Sequence, residues 1–99
     1  MATLQYNVTG ETTTELISAG SNVNISKISL ANVEGSNSVS IDLFITKEDV
    51  GSYYFFKQLV LPADSAFVYD INYNARDFTL FIKLTKSASE TPAVDVMLY

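Results

Sequence analysis

The sequence predicts an all-β protein, a two-sheet antiparallel β-sandwich of seven to eight strands. Apolar residues recur at every second position over much of the chain, as in Val39, Ile41, Leu43 and Ile45, or Phe78, Leu80, Ile82 and Leu84. No window of a dozen residues carries a sustained helical stripe. The apolar runs are short and are divided by Gly, Pro, Asn and Asp, a spacing that suits two packed sheets whose inner rows bury each other. Ninety-nine residues is the size of one small domain, and one core at that length buries roughly two thirds of the unfolded surface. Nothing divides the chain, so residues 1–99 read as a single domain, with 1–20 as an N-terminal arm plus a first strand.

Leu4, Tyr6 and Val8 begin the first strand, which Gly10 breaks. Thr13 to Ile17 offers a short second one, closed by Gly20. Val23 and Ile25 lie in one phase while Ile28 and Leu30 lie in the other, so an extra residue near Ser26 and Lys27 predicts a bulge or corner. Asn32 to Asn37 is a polar turn containing Glu34-Gly35, and Val39 to Thr46 returns as a regular strand, predicting a hairpin. Lys47 to Ser52 is a charged loop, and Tyr53 to Leu61 is apolar on both sides. Pro62 to Ser65 reads as a turn, because proline presets φ while Asp64 and Ser65 bond the local backbone. A strand from Ala66 to Ile71 and a loop from Asn72 to Asp77 follow. Phe78 to Thr85 and Ala93 to Tyr99 are expected to pair across the connection between them. The topology is immunoglobulin-like or jelly-roll-like. With neither Cys nor Trp present, the disulfide and buried Trp of antibody domains are impossible.

Eleven acids against six bases give a formal charge of -5. The bases Lys27, Lys47, Lys57, Arg76, Lys83 and Lys86 are scattered, whereas a nucleic-acid footprint needs them clustered. No nucleic-acid partner is expected. The polar start from Met1 to Thr14 does not resemble a secretory signal, and no apolar run approaches the roughly 20 residues that span a bilayer. These features predict a soluble protein made in a cytoplasm, with no membrane partner.

The chain has no His and no Cys, so a nucleophile would depend on Ser-Lys or carboxylate arrangements. Ser26-Lys27 and Lys86-Ser87 are sequence neighbours, and neighbours in a strand point to opposite faces. Glu48 and Asp49 share a loop and read as solvated charges. No catalytic residue is expected. Asp70-Ile71-Asn72-Tyr73-Asn74 matches the opening of a calcium loop, but Ala75 and Phe81 stand where that loop needs Gly and Glu. No metal or cofactor is expected. Tyr53, Tyr54 and Tyr73 offer apolar faces with polar tips, which suits sugar rings, so a monomeric carbohydrate-binding module is one reading.

The outward row of side chains carries the other reading. Phe44 stands opposite the row of Val39 to Ile45, Phe81 opposite Leu80 and Ile82, and Met97 with Tyr99 opposite Val94 to Leu98. A strand with one buried face normally shows water its second row, so apolar groups there suggest a further partner. If these strands share one sheet, Phe44, Phe81, Met97 and Tyr99 form one interface patch, unless residues 1–20 cover it. Each buried Phe would contribute on the order of 2 kcal/mol.

The segment from Ile25 to Tyr99 resembles small β-sandwich virion proteins of tailed bacteriophages, a group of head-decoration, neck and tail accessory domains. The resemblance rests on Ile28-Ser29-Leu30-Ala31-Asn32 with a Gly-Ser-Asn turn, on Val39 to Ile45, and on Tyr53-Tyr54 leading to Leu59-Val60-Leu61-Pro62-Ala63. Ala93-Val94-Asp95-Val96 completes it. Where relatives tend to carry Pro-Ala-Gly, this chain has Pro62-Ala63-Asp64. The resemblance implies a non-enzymatic, virion-bound structural role as a homo-oligomer docked on a phage capsid or tail protein. Capsid decoration or cement comes first and a neck or tail accessory second.

Overall fold

The computed structural model describes residues 4–34, 36–47, 49–86 and 91–99. Eight strands form: β1 (Leu4–Thr9), β2 (Thr13–Ile17), β3 (Asn24–Asn32), β4 (Val39–Lys47), β5 (Gly51–Leu61), β6 (Ala66–Asn74), β7 (Thr79–Lys86) and β8 (Ala93–Leu98). They lie in two four-stranded antiparallel sheets, ordered β1-β8-β3-β6 and β2-β7-β4-β5. These are called the first and second sheet below.

The pairing has a simple logic. β1 pairs with β8, β2 with β7, β3 with β6 and β4 with β5. The chain is thus one long hairpin with its tip between β4 and β5, wound so that successive pairs fall alternately in the first and second sheet. That winding is a jelly roll. It decides between the two topologies open to the sequence.

Two expected hairpins are corrected. β3 pairs with β6 and β8, and β4 with β5 and β7, so β3 and β4 lie in different sheets; so do β7 and β8. Neighbouring strands often pair, and both connections are short. A stretch of six residues also crosses the roughly 10 Å between packed sheets, so length alone does not choose. The expected arm is corrected as well. Leu4–Thr9 and Thr13–Ile17 complete the two sheets as edge strands beside β8 and β7, and cover neither face.

Other expectations hold. The register slips between Ile25 and Lys27, as the change of hydrophobic phase required. The turn after Leu61 is present, with Asp64 at φ 56° and the Ser65 hydroxyl donating to the Pro62 carbonyl at 2.6 Å. Gly35, Glu48 and Ser87 lie outside the described residues.

The core is built from the inner rows. Ile28, Leu30, Ile41, Leu43, Leu80, Ile82, Leu84, Val94, Val96 and Leu98 have no exposed surface, and each such side chain contributes roughly 1.5–3 kcal/mol relative to exposure. β5 resolves its two-sided apolar character through two register shifts against β4, between Ile41 and Leu43 and between Leu43 and Phe44. These bulges re-aim its aromatic side chains. Phe56 meets Phe67 and Tyr69 of β6 edge-on, with ring centroids at 6.0 and 5.3 Å, and closes the gap between the sheets along that side.

Candidate functional site on the outer sheet faces

The four residues expected to form one patch lie on two opposite faces. Met97 stands on β8 in the first sheet, whereas Phe44 and Phe81 stand on β4 and β7 in the second. Side-chain period two places all of them outward, but the winding sends β8 to the other layer. The single shared patch is therefore corrected to two.

On the second sheet, Phe44 and Phe81 are directly opposed neighbours, and Tyr54 of β5 opposes Phe44 on its other side. Phe44 stacks on Phe81 with centroids 5.6 Å apart and lies 5.0 Å from Tyr54. Three rings thus cross three strands in one row. Both Phe side chains are half-buried by their neighbours, while Tyr54 is 46% exposed. The row ends in opposite charges. Glu15 of β2 opposes Phe81 at one end; at the other, the Lys57 ammonium sits over the Tyr54 ring, 5.1 Å from its centroid, a cation–π contact.

The adjoining positions on this face are polar. Thr46 and Ser52 share a hydrogen bond at 3.1 Å on one side of the row. Lys83 opposes Asp42 on the other. Asp42 is 9% exposed, and its carboxylate accepts the Gln58 N–H at 2.6 Å, capping the bulge where Gln58 takes φ 55°. A negatively charged acceptor makes that bond one of the stronger kind.

On the first sheet, Met97 opposes Gln5 on one side and Ser29 on the other, and Ser29 opposes Val68, which is 56% exposed. Tyr99 continues the strand: its N–H donates to the Lys27 carbonyl at 2.9 Å and its own carbonyl accepts the Ser26 N–H at 2.7 Å. Shallow depressions flank this ridge, one lined by Gln5, Tyr6, Asn7 and Met97, the other by Ser26, Lys27, Val68 and Tyr99.

The remaining candidates fall elsewhere. Tyr73 is corrected as a sugar platform: it is 5% exposed, its hydroxyl donates to the Phe78 carbonyl, and burial pushes its pKa up to about 12. Tyr53 is exposed and meets Phe78 edge-on. Asp70, Asn72 and Asn74 lie along β6, not in a loop, and Asn74 donates to the Asn24 side chain. Among the described residues, no group of three His, Cys, Asp or Glu is placed to hold a metal, and no helix is long and apolar enough to cross a membrane. Sequence reasoning did not place Tyr54, Lys57 and Glu15 in the aromatic row, because their alignment depends on the β5 bulges and on β2 taking the sheet edge. Val68 was likewise unread; its alternation with Phe67 and Tyr69 was the available signal.

The two sheets and the jelly-roll winding define an eight-stranded antiparallel β-sandwich. No protein-family model matches the sequence, and comparison with curated proteins finds no match. Solved structures do resemble it. PirA superposes with a TM-score of 0.63 at 11% identity, covering 97% of this chain and 93% of that one. The CBM32 of AlyQ, solved in complex with 4,5-unsaturated mannuronic acid, gives 0.58 at 13% identity over 96% of this chain and 76% of that one. T=1 particles derived from infectious bursal virus give 0.57 at 13% identity. That match covers 98% of this chain, which spans only 30% of the viral one. Identities of this size establish likeness of fold.

Proposed function

We propose that this chain is a non-enzymatic structural protein of a tailed-bacteriophage virion, a capsid decoration or cement protein that self-associates and docks on the particle. The observation that carries the reading is the row Phe81, Phe44 and Tyr54 on an outer sheet face, where three aligned rings stay partly open to water and offer apolar area to a partner. Apolar side chains on two opposite faces suit a protein with two contacts to make. The second sheet serves self-association; the ridge of Met97, Tyr99 and Val68 on the first serves docking on a phage capsid or tail protein. The fold shared with a virus-particle protein supports a role in assembly, and the resemblance of Ile25 to Tyr99 to phage accessory domains supports the class of particle. A neck or tail accessory protein is the alternative within the same reading.

Copy number in purified virions tests it. Hundreds of copies per particle support decoration of the head, a dozen or fewer support the neck or tail, and absence from the particle overturns the proposal.

A carbohydrate-binding module is the second reading, supported by the exposed Tyr54 ring and by the fold shared with a module that binds an unsaturated uronic acid. Its platform would be Tyr54 with Phe44, since Tyr73 is buried. Titration with glycans separates the readings: saturable binding lost in Tyr54→Ala favours the module.

A further inference from the structure

The aromatic row reads, across the second sheet, Glu15, Phe81, Phe44, Tyr54, with the Lys57 ammonium over the last ring. It is apolar in the middle and oppositely charged at its ends, so its fit to another copy depends on orientation. Two sheets packed face to face are related by a two-fold axis lying in the plane between them. An axis across the strands, along the row, sets Glu15 against Glu15 and Lys57 against Lys57. An axis along the strands, between β7 and β4, reverses the row. It then sets Glu15 against Lys57 of the second copy and Phe81 against its Phe44.

Resting on the proposed self-association, we infer that the partner of this face is a second copy of the chain, bound as a two-fold dimer whose axis runs along the strands between β7 and β4. Charge complementarity selects it, since like charges set directly opposite oppose association and opposite ones favour it. The area suffices: the molecule measures 38 × 30 × 18 Å, so its broad faces exceed the ~800 Å² per partner of a standard stable interface. The contact is isologous and closed, which leaves both Met97 ridges on the outside of the dimer.

Cysteine cross-linking tests the orientation, because the chain has no cysteine of its own. Within one chain Glu15 and Tyr54 stand three strands apart, roughly 14 Å, whereas facing positions of two packed sheets lie roughly 10 Å apart, further than the ~7 Å a disulfide spans but within reach of a short bismaleimide. A mixture of Glu15→Cys and Tyr54→Cys is expected to give a dimer linked by that reagent, whereas neither variant alone does. Charge reversal supplies an arm independent of Tyr54. Glu15→Lys is expected to raise the dimer Kd about tenfold, the effect of two symmetric exposed pairs, and adding Lys57→Glu restores it. Glu15→Cys linking to itself, or no restoration in the double reversal, overturns the orientation. If the dimer exists and Phe81→Asp disperses it, self-association survives that failure. A wild-type chain that sediments as a monomer at every concentration overturns both.

Discussion

The side-chain amide of Asn32 donates to the main-chain carbonyl of Leu61 at 3.0 Å, joining the end of β3 to the end of β5 across the two sheets. The same amide reaches the carbonyls of Asn37 at 3.0 Å and Pro62 at 3.2 Å, and its oxygen accepts the Glu34 N–H at 3.0 Å. One buried polar side chain, 2% exposed, therefore ties together two of the crossings that make the winding a jelly roll. Buried polar groups of this kind cost little while satisfied and much when a partner is removed.

Asn32→Ala is expected to destabilise the fold by about 1–3 kcal/mol, because the carbonyls of Leu61 and Pro62 lose their donor in a dry setting. Asn32→Asp is expected to be worse, since it places a negative charge against the same oxygens. Urea unfolding checks both. Wild-type stability in Asn32→Ala would remove the amide from any role in holding the crossings.

Asp42→Ala is expected to cost about 1.5–3 kcal/mol, the worth of a hydrogen bond to a charged group, by freeing the Gln58 N–H at the β5 bulge. Adding Gln58→Gly is expected to recover part of that loss by relieving a left-handed backbone that non-glycine residues adopt at a cost. A double variant no more stable than Asp42→Ala in thermal unfolding counts against the bulge as the source.

Tyr73 makes the fold sensitive to alkali. Its pKa is 10.0 in ordinary surroundings and about 12 when buried in the fold. Below pH 10 both states keep the proton and stability is full. Between pH 10 and 12 the unfolded chain gives up its proton first, so stability falls as pH rises, by about 3 kcal/mol at most. Tyr73→Phe is expected to lose about 1 kcal/mol at pH 7, for the missing bond to Phe78, and to show a flatter decline from pH 10 to 12. Equal declines in wild type and variant would show that the phenol is not the group responsible.

The separation of the two faces gives a further expectation. Phe81→Asp should abolish self-association and, by removing the stack on Phe44, lower stability by about 1–2 kcal/mol without unfolding the chain, while Met97→Asp should leave the oligomer intact and lower occupancy on the virion. Light scattering and virion composition read the two effects separately. Loss of the oligomer in Met97→Asp would join faces that the fold holds apart.

How much was legible in the sequence varies by element. The inner rows of β4, β7 and β8 could be read directly, because period-two alternation follows from the pleat and requires no knowledge of neighbours. The bulge at Ser26-Lys27 showed itself as a change of phase between Ile25 and Ile28, and the turn at Pro62 through proline's restricted φ. Outward projection of Phe44, Phe81 and Met97 was equally local, and held. Their meeting was not local: whether Met97 joins Phe44 depends on which sheet β8 enters, and a six-residue connection serves a hairpin or a crossing equally well. Tyr73 looked like Tyr53 and Tyr54 in composition, yet its hydroxyl found a carbonyl five residues on and its ring entered the core.

The sequence by itself determined the strands, their inner and outer rows, and the all-β class, since each depends on side chains a few residues apart. Only the tertiary structure decided the partnering of strands, the division of the apolar residues between two opposite faces, and the charged ends of the aromatic row. Those are set by long-range closure, in which burying every inner row at once selects one winding from several that local preferences allow.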